Sequence, residues 1–213
     1  MKLSGLYAIT PDCPDSEALL AKVRAALDYA HLGGWAALQY RNKAARAAQR
    51  ADEAQALAVL CRARGVRFIV NDDLELALAS GADGVHLGRD DGALTAARAR
   101  LGSRLLGASC YDRLELARAA LAAGADYVAF GSVFPSTTKP GAVRAPLELF
   151  AAARALGAPV IAIGGITLER AAEVLRAGAD CLAVISDLFD SPDIAERARA
   201  YANLFAAQAS LPA

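Results

Sequence analysis

The 213-residue sequence predicts an α/β fold, a single compact (β/α)₈ TIM barrel that occupies residues 1–213 as one domain. Three observations carry that expectation. Eight short runs rich in β-branched and aromatic residues alternate with longer Ala/Leu/Arg stretches of helical period. Strand–helix–strand crossovers demand parallel strands, and eight of them suggest closure. The length also fits, since eight strands of ~5 residues, eight helices of ~11 and sixteen connections of ~4 sum to roughly 190. The main rival, a doubly wound sheet, would bind phosphate on a glycine-rich loop after its first strand. Thr10-Pro11-Asp12-Cys13 is no such loop.

The elements follow in order. The first strand spans 5–9, and a helix over 16–32 starts at Asp15 or Ser16 and carries Leu20, Val23, Leu27 and His31 on one face. Strand two, 36–40, leads to a helix over 45–64, and strand three, 67–70, to one over 73–80. Strand four, 84–87, precedes a helix over 92–101; strand five, 105–109, precedes one over 112–123, capped by Asp112 and facing inward through Leu114, Ala117 and Leu121. Strand six, 127–131, is followed by a helix over 146–156. Strand seven, 160–163, is followed by a helix over 167–177 capped by Thr167, with Leu168, Ala171, Ala172 and Leu175 on one face. Strand eight, 181–185, and a helix over 192–207 complete the series. Gly33, Gly65, Gly81, Gly124, Gly157 and Gly178 stand where helices stop. One joint recurs: Gly81-Ala82-Asp83, Gly124-Ala125-Asp126 and Gly178-Ala179-Asp180 each end a helix and enter a buried strand. Its uneven spacing excludes a solenoid.

Composition narrows the function. With 55% hydrophobic residues the chain is not a disordered one, and 23 basic residues balance 23 acidic ones. Zero net charge gives no general attraction to nucleic acid or to an anionic membrane, so any phosphate affinity rests on a few placed residues. No apolar run reaches the roughly 18 residues a membrane helix needs, and residues 1–10 hold too short an apolar stretch for a secretory signal. The expectation is a soluble cytoplasmic protein with small-molecule partners, no nucleic-acid or membrane partner, and an oligomeric state left open. Cys13, Cys61, Cys110 and Cys181 are scattered, without metal-ligand spacing. Cys61 and Cys181 read as small buried hydrophobes, and Cys110 has no basic partner to make it a nucleophile. His86 reads as an oriented rim or core residue rather than a base, and Trp35 as packing between barrel and helices. There is no Gly-x-Ser-x-Gly elbow and no Gly-Lys-Ser/Thr phosphate loop.

In a barrel, the loops after the strands converge on one rim, where chemistry sits. Polar residues gather at those positions. Gln39 near the end of strand two, with Arg41 and Lys43 after it, occupy every second position and so project one way, two of them cations suited to a diphosphate. Asn71, Asp72 and Asp73 follow strand three, and Asp90 and Asp91 follow strand four. Asp72 and Asp91 read as a Mg²⁺ pair, with substrate oxygens and water completing the shell. One of Asp72 and Asp73 is also expected to cap the next helix, and Asp90 or Asp91 could start the one after. Strand five ends at Ser109. Residues 132–145 form a connection long enough for a functional lid, placing Lys139 between Thr138 and Pro140. Gly164-Gly165 after strand seven, the following helix N-terminus and Ser186 after strand eight form a candidate phosphate cup, against the plainer reading of a tight turn.

Together these stretches resemble the thiamine phosphate synthase family, from Leu6-Tyr7-Ala8-Ile9-Thr10 to about Arg199. The matching segments are 39–43, Asn71-Asp72, 81–88, Gly107-Ala108-Ser109, 130–139, 162–167 and Ile185-Ser186. The resemblance implies a (β/α)₈ barrel that joins 4-amino-5-hydroxymethyl-2-methylpyrimidine diphosphate to 4-methyl-5-(2-phosphoethyl)thiazole, releasing diphosphate with Mg²⁺ as cofactor. It implies that Gln39, Arg41, Lys43, Asn71, Ser109 and Lys139 hold the pyrimidine diphosphate, with Arg41, Ser109 and Lys139 catalytic. By the same resemblance Asp72 and Asp91 hold the metal, and Ser136, Thr138, Gly165, Ile185 and Ser186 hold the thiazole phosphate. The chain departs from the family pattern at Asn42 (usually Glu), Arg89 (usually Gln), Ser132 (usually Pro) and Ser136 (usually Thr). Two other readings stand beside it: a thiazole tautomerase-like isomerase, and a non-catalytic phosphate-binding barrel.

Overall fold

Strands β1 (Gly5–Ile9), β2 (Trp35–Tyr40), β3 (Phe68–Asn71), β4 (Gly84–Leu87), β5 (Leu105–Tyr111), β6 (Tyr127–Phe130), β7 (Val160–Ile163) and β8 (Cys181–Val184) pair in parallel in chain order. β8 returns to β1 and closes the barrel. The computed structural model describes residues 3–135, 141 and 143–209. Outside the strands lie α1 (Ser16–Leu27), α2 (Ala47–Ala63), α3 (Leu74–Ala79), α4 (Leu94–Leu101), α5 (Leu114–Ala122), α6 (Glu148–Arg154), α7 (Leu168–Ala177), α8 (Ser186–Phe189) and α9 (Ile194–Ala209). No helix among the described residues is long and apolar enough to cross a membrane.

Strand alternation sorts the apolar residues into two layers. Tyr7, Ile9, Ala37, Ile69, Tyr127 and Ile161 fill the lumen. Leu6, Leu38, Phe68, Val85, Phe130 and Leu182 point outward and bury against the helices. In that outer layer the rings of Phe130 and Phe150 meet edge to face at 6.0 Å. Each such fully buried side chain contributes ~1.5–3 kcal/mol.

The elements differ from the periodicity reading at their ends. The first helix stops at Leu27, and a 3₁₀ turn, Ala30–Leu32, carries the chain to Gly33 and Gly34. The tighter turn delivers Gly34, whose carbonyl accepts from Leu6 N at 2.7 Å, and any Cβ there would lie 2.8 Å from Ala202 Cα in α9. The α8 turn had no signal in the sequence because four residues are too few to show a helical period. Asp15 caps α1 through Oδ1, accepting from Glu17 N at 2.9 Å. Asp112 does not cap α5, which begins after Arg113 with no side-chain cap.

The recurring Ala-Asp joint has one job in all three copies. Asp83 Oδ2 accepts from Phe68 N at 2.7 Å, Asp126 Oδ2 from Leu106 N at 2.7 Å, and Asp180 Oδ2 from Val160 N at 2.9 Å. The backbone N–H of each Asp in turn donates to the carbonyl of that same residue, at 2.7–2.8 Å. Each aspartate thus grips the neighbouring strand twice, at the end of the barrel opposite the polar rim, and satisfies amides that would otherwise start a strand unpaired.

Candidate active site

Threonine 10 and Asp12, at the end of β1, organise the cations that follow β2. Thr10 Oγ1 donates to Arg41 O and accepts from Arg41 N, both at 2.8 Å. Asp12 accepts from Arg41 Nη1 at 2.8 Å through Oδ2 and from Lys43 N at 2.6 Å through Oδ1. Burial opposes ionisation of Asp12, but Arg41 and Lys43 outweigh it and hold its carboxyl below the usual range. The Arg41 side chain is 15% exposed and that of Lys43 57%, so one cation is seated and the other reaches outward. Nothing in the sequence singled out Asp12 as a partner, because the residues it holds lie 29 and 31 positions away.

Between Arg41 and Lys43, Asn42 turns inward. It is 4% exposed and donates from Nδ2 to Cys13 O at 2.7 Å and to Glu53 Oε2 at 3.0 Å. Glu53, 1% exposed, also accepts from Tyr40 Oη at 2.6 Å, Ser16 Oγ at 2.7 Å and Gln49 Nε2 at 2.9 Å. Burial raises its pKa, yet these four donors outweigh that and hold it below the usual carboxylate range. The node ties β2, α1 and α2 together beneath the rim.

Asp73, not Asp72, caps α3, accepting from Leu76 N at 2.9 Å and pairing with Arg50. Asp72 takes a left-handed backbone, φ 64, while its N–H still donates to His86 O at 2.8 Å. Aspartate tolerates that conformation better than most residues. The twist separates the two neighbours: Asp73 faces its helix, and Asp72 presents its carboxylate to the rim. There Asp72 Oδ2 lies 3.1 Å from Lys43 Nζ. Asp91 accepts from Gly88 N at 2.7 Å rather than capping α4, which starts after Ala93. Partial burial and the adjoining Asp72 carboxylate raise the Asp91 pKa, against the Gly88 amide and Lys43.

Two adjoining carboxylates with a cation beside them fit a hard divalent ion. Among the described residues no group of three or more His, Cys, Asp or Glu side chains could hold a metal. A pair leaves most of the shell to substrate oxygens and water, which is the manner of Mg²⁺ rather than of Zn²⁺ or Ca²⁺.

The floor of the rim is polar. Gln39 is 3% exposed and donates from Nε2 to Tyr7 Oη at 3.0 Å, and Tyr7 Oη lies 2.8 Å from Tyr127 Oη. His86 Nε2 is 2.9 Å from Ser109 Oγ, and its ring stacks on Tyr127 at 5.6 Å. His86 therefore orients Ser109. Asn71, half-buried, ends β3 in register with His86. A cavity of about 320 Å³ lies beside this floor, behind β4 and β5, with Gly88, Arg89, Ser109 and Tyr111 at its edge.

Opposite, Gly164 and Gly165 take φ 103 and 61. A Cβ on Gly164 would meet Ser132 Oγ at 2.1 Å, and one on Gly165 would meet Pro135 O at 2.3 Å. Packing against residues 132–135 thus already requires both glycines, so their presence alone does not argue for an anion. On the same side α7 begins at Leu168 and α8 at Ser186, directly after Ile185. Asp187 Oδ2 joins them, accepting from Leu168 N at 3.2 Å and from Tyr201 Oη at 2.7 Å. Ser136, Thr138 and Lys139 lie outside the described residues.

The family model described as thiamine monophosphate synthase matches residues 6–188. The chain belongs to this family. It is 59% identical over 208 residues to the thiamine-phosphate synthase of Chromobacterium violaceum, covering 97% of this chain and 99% of that one. It is 60% identical over 206 residues to the thiamine-phosphate synthase of Aromatoleum aromaticum, with 96% and 97% covered. Among solved structures, thiamine phosphate pyrophosphorylase from Pyrococcus furiosus superposes with a TM-score of 0.83 at 34% identity, covering 95% and 96% of the two chains.

Three departures from the pattern of the thiamine monophosphate synthase family have visible accommodations. Asn42 is absorbed by the Glu53 node. Arg89 stacks over the Tyr111 ring at 4.9 Å, and the charges acting on Asp91 are those of Asp72 and Lys43. Ser132 donates through N–H to Val143 O at 2.8 Å, a bond proline could not make, and its Oγ donates to Phe134 O at 2.6 Å.

Proposed function

We infer that this chain is a thiamine-phosphate synthase, a transferase that joins 4-amino-5-hydroxymethyl-2-methylpyrimidine diphosphate to 4-methyl-5-(2-phosphoethyl)thiazole. The observation that carries the reading is Lys43 reaching the Asp72–Asp91 pair at the rim, beside an Arg41 that Asp12 holds in place. A monophosphate isomerase has no use for that combination. The bond between the pyrimidine methylene carbon and the diphosphate oxygen breaks, its electron pair leaving with the oxygen. The thiazole nitrogen then gives its lone pair to the same carbon. Such a step needs no nucleophilic side chain and no strong base; it needs charge absorbed where it develops.

In this reading Arg41 grips the departing diphosphate through the guanidinium N–H groups that Asp12 leaves available, and Lys43 adds a mobile point charge. Lys139, assigned from the resemblance, is the third cation. Mg²⁺, held by Asp72 and Asp91 and by the diphosphate itself, would neutralise the leaving group. Gln39, Asn71 and Ser109 bind the pyrimidine side. Gly165, Ile185 and Ser186, with Ser136 and Thr138, seat the thiazole phosphate. The whole chain acts as one barrel domain on small molecules in the cytoplasm.

The test mixes the protein with both substrates and measures diphosphate release with and without Mg²⁺. Mg²⁺-dependent release with formation of thiamine phosphate supports the reading. Turnover of the thiazole phosphate alone without diphosphate release would indicate an isomerase, and binding without turnover a sensor.

A further inference from the structure

The lumen holds one feature that the reaction above does not use. Tyr7 from β1 and Tyr127 from β6 reach across the barrel, 120 residues apart in sequence, and touch hydroxyl to hydroxyl at 2.8 Å. Both are buried, and burial first of all raises both pKa values above the usual tyrosine range, so each keeps its proton. Tyr127 is itself confined, since any Cβ on Gly107 would fall 2.1 Å from its ring. A Tyr hydroxyl has one proton to give. With Gln39 Nε2 donating into Tyr7 Oη, that proton goes to Tyr127. The far tip of the carboxamide, Oε1, accepts no hydrogen bond from a described residue and is not enclosed. In the synthase reading, Oε1 is the acceptor left for the pyrimidine ring.

We propose that Tyr7, clamped by Tyr127, is a positioning residue that fixes the orientation of the Gln39 carboxamide and so makes the site prefer an amino-bearing heteroaromatic ring over its oxo analogue. This rests on the synthase reading and deepens it. An amino group donates to Oε1; a ring carbonyl in its place meets a second acceptor and leaves both unpaired. The two tyrosines act differently. Removing the Tyr7 hydroxyl frees the amide to flip. Removing the Tyr127 hydroxyl frees the Tyr7 proton, which can then be given to Oε1, turning Nε2 toward the ligand.

The experiment measures kcat/KM for the 4-amino pyrimidine diphosphate and its 4-oxo analogue in the unaltered protein, Tyr7→Phe and Tyr127→Phe. The expected result is a preference for the amino substrate that falls about tenfold in Tyr7→Phe, the worth of one hydrogen bond. In Tyr127→Phe the preference moves further toward the oxo substrate. Both changes should appear mainly in KM for the pyrimidine, with KM for the thiazole phosphate constant. A merely structural role would lower activity on both substrates equally and leave the ratio unchanged, which would overturn the proposal. Should Tyr7→Phe not fold, the Tyr127→Phe ratio decides alone. Absence of diphosphate release by the unaltered protein would overturn the synthase reading itself, and the proposal with it.

Discussion

Replacing Asp91 by Asn should make the protein more stable and less active at once. Asn is nearly isosteric and keeps an oxygen for Gly88 N, whose bond to Asp91 is 2.7 Å. What it removes is a negative charge, raised in pKa by its partial burial and by the adjoining Asp72 carboxylate. Two like charges about 4 Å apart repel by ~1 kcal/mol in water and more in the protein. Lys43, 3.1 Å from Asp72, offsets part of that, and solvent screens the rest. A gain of about 1 kcal/mol remains, or ~2–4 °C in melting temperature for a domain of this size. The sign depends on pH. A carboxyl that holds its proton more tightly in the folded state costs stability when ionised, so the gain is present at pH 7. It shrinks as pH falls through the raised value and is gone below the ordinary carboxylate range of ~4. In the proposed role Asp91 helps hold Mg²⁺ at a developing anion, so activity should move the other way, by ~10²–10³ in kcat. Calorimetric melts without metal and diphosphate release with titrated Mg²⁺ read both. An Asp91→Asn protein that melts lower than the parent at pH 7, or that keeps its Mg²⁺ response, refutes the reasoning.

Other substitutions test the supports of the site. Asp12→Ala removes the bonds at 2.8 and 2.6 Å that seat Arg41 and the Lys43 amide. After allowance for partial exposure it should cost ~2 kcal/mol in urea unfolding and raise KM for the diphosphate substrate about tenfold, with little change for the thiazole. Gly164→Ala places a methyl 2.1 Å from Ser132 Oγ on a backbone at φ 103. A drop of ~2–3 kcal/mol is expected by thermal melt, with weaker thiazole phosphate binding by calorimetry. Glu53→Ala strands the four donors that converge on it and should cost ~3–5 kcal/mol in urea unfolding. Because those donors depress its pKa, the contribution of Glu53 is full above the usual carboxylate range and drains as pH falls through the depressed value. An acid-unfolding midpoint unchanged in Glu53→Gln would contradict this.

What the sequence made legible was whatever repeats locally. Strand and helix periods mark all eight strands, and the rule that polar loops follow barrel strands puts Gln39, Arg41, Lys43, Asp72 and Asp91 on one rim. Which of Asp72 and Asp73 caps the helix is not legible, because it turns on one left-handed residue, and aspartate is permitted but not required there. Asp12, the Glu53 node and the Tyr7–Tyr127 contact were illegible for another reason. Apart from the Gln49–Glu53 bond, four positions apart, these pairings span 11 to 120 positions, and neither periodicity nor capping reports on such distances. Gly164 and Gly165 read from the sequence as a phosphate cup or a tight turn, and in the structure close packing on residues 132–135 requires both of them.

The three gripping aspartates have a bearing on how the ring could be taken apart. They fasten β3 to β4, β5 to β6 and β7 to β8, so that the lower edge is sewn in twos. A break in the connection after α4 leaves every stitch within one piece, whereas a break at Gly124 parts β5 from the carboxylate that holds it. Halves severed at the first place should therefore reassociate into an active enzyme more readily than halves severed at the second. On that view the unit from which this ring is built is the strand pair.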